Sequence, residues 1–194
     1  MLFLLRLFAI ALLRRDATYM LRLCQSPPLG SVLPRIRMGC VVTNPSARRP
    51  TIRALSQHEC LALLARNHVG RLAFALHDRV DIQPLHYVYE AGWIYGRTSE
   101  GAKLTALAHH QWVAFEVDEV HGAFEWTSVV VQGSFHRIDA GSPVPDAAAE
   151  AHAVRLLRTI VPETFTLDDP VPFRTVVFRV ALGETTGRAA TTAA

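Results

Sequence analysis

Three strand-like segments follow one another between residues 69 and 97, and only short turns separate them. The segments at 69–76, 80–89 and 93–97 combine apolar, β-branched and aromatic residues, a composition that favours strands. His77-Asp78 and Glu90-Ala91-Gly92 supply the turns. Parallel strands need a crossover connection of a dozen or more residues. This part of the chain is therefore restricted to an antiparallel sheet.

The remainder of the body adds further helices and strands. Ser56 and Glu59 have the spacing of a capping box, which predicts that a helix starts there. About six strands with short connections must protect their edges, and closure into a barrel does so. We therefore expect a mostly β (α+β) fold, a closed or nearly closed six-stranded antiparallel barrel with flanking short helices. The additional elements expected are helices at 57–66, 100–109 and 146–160, and strands at 112–117, 124–138 (with a bulge at Gly133) and 173–182.

The charge of the chain is unevenly distributed. The net charge is +3, but residues 1–53 hold nine Arg and one acid, so residues 54–194 carry −5. A nucleic-acid-binding domain would place its Lys and Arg on the folded body, and this body is acidic. We therefore expect no nucleic-acid partner. Lys103 is the only Lys in the chain, which draws attention to its position.

Residues 1–53 are interpreted as a basic extension, disordered or mis-assigned, that precedes a domain at 54–194. The apolar run at 1–13 is interrupted by Arg6 and is too short for a hydrocarbon core that needs about 20 residues. A membrane-surface or targeting helix is the alternative, and membrane contact is expected only in that case. Three cysteines without a Cys-x-x-Cys spacing indicate neither a disulfide framework nor a zinc site, and we expect a reducing cytoplasm.

The segment at 93–104 carries the strongest chemical signal. An apolar strand runs into Arg97, Thr98 and Ser99, and a helix follows that contains Lys103. The N-terminus of a helix offers unpaired N–H groups and a partial positive charge, which suit an anion. Hydroxyl, guanidinium and ammonium groups add donors for phosphate oxygens. The alternative interpretation is that Ser99 only caps the helix and that both cations are solvated.

Five stretches, in the same order and with matching gaps, resemble one known family. The chain is similar to the pyridoxamine 5′-phosphate oxidase-like FMN-binding split barrels, in particular to the branch of the nitroimidazole-resistance proteins. This resemblance implies a six-stranded antiparallel split β-barrel of the FMN-binding type and a homodimer with the flavin at the interface. The matching stretches are 69–74, 83–88, 94–103, 115–118 and 126–133, together with the tail at 184–188.

The resemblance also implies roles for individual residues. The strand at 83–88 would run along the flavin with its backbone facing the ring. Arg97, Thr98, Ser99 and Lys103 would meet the phosphate, and Trp126 and Ser128 would approach the flavin from the partner subunit. The full set of implied cofactor-binding residues is Gln83, Pro84, Leu85, His86, Tyr87, Val88, Arg97, Thr98, Ser99, Lys103, Trp126 and Ser128.

The expected function is an FMN-dependent oxidoreductase that acts on a small molecule, with His86 and Tyr87 as the best candidates for catalytic residues. Gln83 and Val88 stand where the oxidases proper carry Arg and Lys, and no C-terminal Arg-x-His motif is present, so pyridoxamine phosphate is not the expected substrate. A deazaflavin (F420) cofactor, or a non-enzymatic flavin or haem carrier, are the alternatives. The nine His show no ligand spacing, and no metal site is predicted.

Overall fold

Seven strands and three helices form the part of the chain that the computed structural model describes, residues 50–76 and 78–192. No helix in this part is both long enough and apolar enough to cross a membrane. In chain order the elements are β1 (Pro50–Ala54), α1 (Gln57–Arg66), β2 (Val69–Leu76), β3 (Arg79–Glu90), β4 (Trp93–Thr98), α2 (Ala102–His109), β5 (Trp112–Gly122), β6 (Glu125–Arg137), α3 (Ala147–Ile160) and β7 (Val176–Thr192).

Six of the strands close into an antiparallel ring. The sheet order is β1-β7-β4-β3-β2-β5-β6, and an additional pairing joins β6 to β7. The first half of β7 pairs with β4 on one side and with β6 on the other, while its second half pairs with β6 and β1. The predicted six-stranded barrel is thus confirmed, and β1 is a seventh strand added at its edge.

The barrel is split between β3 and β4. These two strands pair only where residues 87–90 face residues 93–96. Over residues 79–86 the strand neighbour of β3 is β2 alone. Among the strands that the structure describes, none pairs with this edge of β3, which lies next to the point where the chain passes from β4 to α2.

Most predicted elements occur where the sequence places them. Ser56 caps α1, because its hydroxyl accepts a hydrogen bond from the Glu59 N–H and the Glu59 carboxylate accepts one from the Ser56 N–H. The bulge at Gly133 is confirmed by a register shift between Val131 and Gly133 against β7. A Cβ atom at Gly133 would lie 2.4 Å from the Ala181 carbonyl oxygen, so this close approach requires glycine.

The N-terminal boundary is the main difference from the sequence prediction. β1 begins at Pro50, so the expected boundary between residues 53 and 54 lies inside a strand that pairs with 188–192 of β7. All five residues of β1 are exposed, so no apolar alternation reveals it in the sequence. Residues 1–49, and with them the apolar run at 1–13, lie outside the described residues, and so does His77 of the first turn.

The barrel interior is a single apolar core that α1 covers at one end. Cys60, Leu63 and Leu64 of α1 are buried in the same cluster as Tyr87 and Phe115. Burial raises the pKa of the Cys60 thiol, which suits a packing role rather than a reactive one. A second, smaller cluster lies outside the ring, where α3 packs over β4 and β7.

Candidate functional site

The end of β4 and the start of α2 form a polar corner, defined here by Gln83, Thr98, Ser99, Gly101 and Lys103. Lys103 lies in the first turn of α2 and reaches back toward the sheet. Its ammonium donates hydrogen bonds to Oε1 of Gln83 at 2.9 Å and to the hydroxyl of Thr98. The structure therefore brings together Gln83, Thr98 and Lys103, which sequence reasoning assigned to one site.

Gly101 makes the sharp turn into α2. Its φ of 146° and ψ of −172° lie in a region that is open almost only to glycine. No side chain caps the helix, so the alternative in which Ser99 serves as its cap is not found. The Thr98 hydroxyl instead contacts Lys103, and the half-buried Ser99 precedes the turn. The first N–H groups of α2 therefore have no side-chain acceptor.

Burial is the largest influence on the pKa of the Lys103 ammonium. It lowers the pKa of the ammonium, and the nearby charge of Arg174 lowers that pKa further, while Asp81 opposes the shift. Asp81 is engaged elsewhere, because its Oδ2 accepts a hydrogen bond from Nε2 of Gln83 at 3.1 Å. The two oxygens that contact Lys103 are neutral, so the ammonium has no directly bonded counter-ion among the described residues.

Arg97 does not join this corner, in contrast to the sequence prediction. Successive side chains of a strand point to opposite faces, so Arg97 faces away from Thr98. Both terminal nitrogens of its guanidinium donate to the Asp169 carboxylate, and this ion pair is buried. The guanidinium also lies 5.2 Å from the centre of the Phe165 ring. Arg97 thus connects β4 to the loop at 161–175.

The segment at 83–88 alternates between the two faces of the sheet. Leu85 and Tyr87 are buried in the barrel core, so only their backbone atoms remain accessible to a ligand. Pro84 and His86 are exposed on the outer face, and Val88 is half-buried. The segment can therefore present backbone groups and two outer side chains to a bound molecule.

Tyr87 is a core residue and is unsuited to catalysis. Its hydroxyl donates to the Leu64 carbonyl oxygen at 2.8 Å, and its ring packs edge-to-face on Phe115 with a centroid distance of 4.9 Å. Burial raises the pKa of the phenol well above its usual range. Of the two predicted catalytic candidates, only the exposed His86 is accessible.

Trp126 and Ser128 lie on β6 and are not brought to the corner within one chain. The Ser128 hydroxyl donates to Oε1 of Glu116 at 3.0 Å, and Trp126 is half-buried. Oε2 of Glu116 and Oδ1 of Asp118 accept hydrogen bonds from Arg71. The expectation that Trp126 and Ser128 approach a flavin in the partner subunit stays a prediction.

Two cavities lie near the sheet. A cavity of about 160 Å³ lies on the outer side of β3 and β4, beneath the end of α3, and its lining includes His86, Arg97 and Arg174. A larger one of about 950 Å³ lies at the far end of α2, between β5 and the loop at 138–146. The smaller cavity adjoins His86 and Arg174, while the larger one is lined by Leu104, which directly follows Lys103. In the chain from residue 50 to 192, His77 aside, no three His, Cys, Asp or Glu side chains converge as a metal site would require.

Arg174 is the residue near the corner that sequence reasoning missed. It lies in the loop before β7, and β7 begins opposite the end of β4, where Val176 pairs with Thr98. No local pattern marks Arg174, because the loop at 161–175 is irregular. Only the pairing of β4 with β7, which are far apart in sequence, places it here.

Solved structures of other proteins share this fold. A FAD-binding protein from Mesorhizobium loti is 25% identical, with a TM-score of 0.60 over 73% of this chain and 99% of that one. The FAD-binding protein from Mycobacterium smegmatis is 28% identical, with a TM-score of 0.52 over 70% of this chain and 98% of that one. A candidate 5-nitroimidazole antibiotic resistance protein from Bacteroides thetaiotaomicron is 16% identical, with a TM-score of 0.56 over 73% and 89%, and supports the fold alone.

Sequence comparison gives the family. A curated protein of unassigned function from Rhizobium meliloti is 27% identical over 89 residues, which are 46% of this chain and 59% of that protein. The match thus spans less than two thirds of that relative's length. The profile of the pyridoxamine 5′-phosphate oxidase family matches residues 56–189, which include β2 to β6, most of β7 and the whole polar corner. The chain therefore belongs to the pyridoxamine 5′-phosphate oxidase family.

Proposed function

We propose that this chain binds FMN and that the polar corner holds the phosphate of the flavin. The observation that carries the proposal is the half-buried ammonium of Lys103, which, within residues 50–76 and 78–192, donates only to the neutral oxygens of Gln83 and Thr98. Buried charges are normally paired with opposite charge. A phosphate at the corner would supply that charge and would also accept hydrogen bonds from the uncapped start of α2. The donor set fits a phosphate monoester.

The free edge of β3 supports a position for the flavin ring. In the described part of the chain, residues 79–86 have no strand neighbour on the β4 side, so their backbone groups on that side are available to a polar heterocycle. Pro84 and His86 are exposed beside this edge. Two similar proteins, those from Mesorhizobium loti and Mycobacterium smegmatis, are described as FAD-binding, which supports a flavin as the cofactor class.

The proposed activity is that of a flavin-dependent oxidoreductase acting on a small molecule. The bound flavin supplies the hydride or electron transfer, while the protein binds the cofactor, orients it and excludes side reactions. Lys103, Thr98 and the start of α2 fix the phosphate end. His86 is the one accessible side chain of the two catalytic candidates, and in this proposal its imidazole lies beside the ring.

A homodimer completes the proposal. The outer face of β2, β3 and β5 exposes large apolar side chains around Arg71, which is paired with Glu116 and Asp118. A face that carries apolar groups together with both signs of charge can complement a second copy of itself across a two-fold axis. A partner would bring Trp126 and Ser128 to the flavin. The exposed side chains that define this outer face are Val69, Val80, Ile82, Trp112 and Val120.

The direct test is to identify the small molecule that the full-length protein releases on denaturation. Mass spectrometry of the supernatant, together with the absorbance spectrum of the intact protein, distinguishes FMN from FAD, deazaflavin and haem. FMN at about one equivalent per chain is the expected result. Release of haem, or no binding of added FMN by the purified protein, would contradict the proposal, and release of FAD or a deazaflavin would correct the cofactor.

A second measurement on the same sample distinguishes an enzyme from a flavin carrier. Under anaerobic conditions NADH or NADPH should bleach the flavin absorbance, and an added electron acceptor should restore it over many cycles. A flavin that binds but is reduced by neither nicotinamide in the absence of an acceptor, and that supports no nicotinamide oxidation when quinones or nitroaromatic compounds are added, would indicate a carrier.

A further inference from the structure

Arg174 is a second cation close to the polar corner. Val176, two residues after Arg174, is the first residue of β7 and pairs with Thr98, whose hydroxyl contacts Lys103. This register brings the end of the loop at 161–175 to the same end of β4 that carries the corner. Arg174 also lines the 160 Å³ cavity together with His86. Its charge lowers the pKa of the Lys103 ammonium, so the two cations lie within electrostatic reach of each other.

The guanidinium of Arg174 has no protein partner among the described residues. The other arginines near β4 are engaged, because Arg97 binds Asp169 and Arg179 stacks 4.2 Å from the centre of the Trp93 ring. Arg174 is half-buried and makes neither an ion pair nor a side-chain hydrogen bond within residues 50–76 and 78–192. Two cations, Lys103 and Arg174, are thus held close together without a carboxylate bonded to either.

The loop that carries Arg174 is firmly attached to the sheet. The Asp169 carboxylate, almost fully buried, accepts hydrogen bonds from the Arg97 guanidinium and from the backbone N–H groups of Phe165 at 2.8 Å and Val171 at 2.9 Å. The Arg174 N–H in turn donates to the Val171 carbonyl oxygen at 3.0 Å. The position of Arg174 is therefore determined by a continuous series of contacts from β4 through Asp169.

We propose that Arg174 binds the cofactor phosphate opposite Lys103, and that the buried Arg97–Asp169 pair is a positioning element that holds Arg174 in place. This inference rests on the proposed function. Like charges repel when they are brought close in a half-buried setting, and an anion between them removes the repulsion. A guanidinium can bind two phosphate oxygens at once, whereas an ammonium acts as a point charge. The two residues together would form a clamp that neither provides alone.

The test compares FMN with riboflavin, which has the same ring and ribityl chain but no phosphate. Flavin fluorescence titrations on the full-length apoprotein give both affinities. Arg174→Ala should weaken FMN binding by about tenfold to a hundredfold, the range for charge-assisted hydrogen bonds, and leave riboflavin binding within about twofold. Arg174→Lys should restore part of the FMN affinity. Arg155→Ala, an exposed arginine of α3, is the matched control and should change neither affinity.

Asp169→Asn tests the positioning role, because it leaves Arg174 present but weakens the attachment of its loop. In Asp169→Asn the affinity for FMN should fall while the affinity for riboflavin stays unchanged. The double variant with Asp169→Asn and Arg174→Ala should bind FMN only slightly more weakly than Arg174→Ala alone. The inference alone is overturned if Lys103→Gln reduces the preference for FMN over riboflavin and Arg174→Ala does not. It is also overturned if Arg174→Ala weakens both flavins equally. Failure of the wild-type protein to bind either flavin would overturn both the proposed function and the inference on Arg174.

Discussion

The ammonium nitrogen of Lys103 lies 2.9 Å from Oε1 of Gln83, which joins the first turn of α2 to the free edge of β3. The only Lys of the chain is thus fixed at the point where the barrel splits. The contact explains how a glutamine can occupy this position, since its amide oxygen orients the ammonium while its Nε2 binds Asp81. Gln83 holds the cation in place and leaves its charge available to a ligand.

The affinity for FMN should begin to fall at a lower alkaline pH than it would if Lys103 had the pKa of an ordinary lysine. Burial and Arg174 lower the pKa of Lys103 below its usual 10.5, so the ammonium loses its proton, and its attraction for phosphate, at a lower pH. The FMN dissociation constant, measured relative to that of riboflavin between pH 7 and 10.5, should rise across this range. In Lys103→Arg this relative dissociation constant should stay constant over the same pH range, because arginine stays protonated. Identical pH profiles for the two proteins would contradict this role of Lys103.

Gly101→Ala should disturb the start of α2. A Cβ atom at Gly101 would meet nothing within 4 Å, but the backbone conformation is strained for any L side chain, which costs about 1–3 kcal/mol. We expect a loss of that size in the free energy of unfolding, measured with urea, and a weaker affinity for FMN. Gly122→Ala is the control, because its nearest contact would be an ordinary 3.7 Å and no positive φ opposes it. Equal stability of the two variants would show that the turn tolerates alanine.

Tyr87→Phe should affect stability and not catalysis. Removing the hydroxyl leaves the Leu64 carbonyl oxygen without this donor in the core, a change worth about 1–3 kcal/mol. The rate of flavin reduction should stay within about twofold of wild type. Tyr89→Phe, on the same strand but only half-buried, should change the unfolding free energy by less than about 0.5 kcal/mol. A large loss of reduction rate in a fully folded Tyr87→Phe protein would restore Tyr87 as a catalytic candidate.

The outer face of β2, β3 and β5 should control assembly. Ile82 lies at the centre of this face and is 59% exposed. Ile82→Arg would therefore place a charge where two copies are expected to meet. Sedimentation analysis should show a dimer for the wild type and a monomer for Ile82→Arg, with a parallel loss of flavin. Val144→Arg introduces the same charge at a more exposed apolar residue outside this face and should leave the dimer intact. A monomeric wild type would contradict the interface.

Local patterns predicted the six-stranded barrel, but they did not predict β1 or the second half of β7. β2 and α1 occur at the expected residues, because a strand-favouring composition and a capping box are encoded within a few neighbouring residues. β1 has no buried residue, and the second half of β7 is defined by its pairing with β1 and β6. Such pairings between distant segments leave no mark in either segment alone.

The site shows the same division between local and distant information. Lys103, Thr98 and Gln83 converge as expected. Arg97, adjacent to Thr98 in the sequence, faces the opposite side of the strand and binds a carboxylate that is 72 residues away. Strand alternation could have separated Arg97 from Thr98, but nothing local could identify Asp169 as its partner or place Arg174 beside the corner.

The measurement that tests the account most directly is the preference for FMN over riboflavin in the wild type and in Lys103→Gln. The wild-type apoprotein should bind FMN at least about tenfold more tightly than riboflavin, and Lys103→Gln should remove most of that preference while riboflavin binding stays unchanged. An unchanged preference in a folded Lys103→Gln protein would show that the phosphate is bound somewhere other than the corner between β4 and α2.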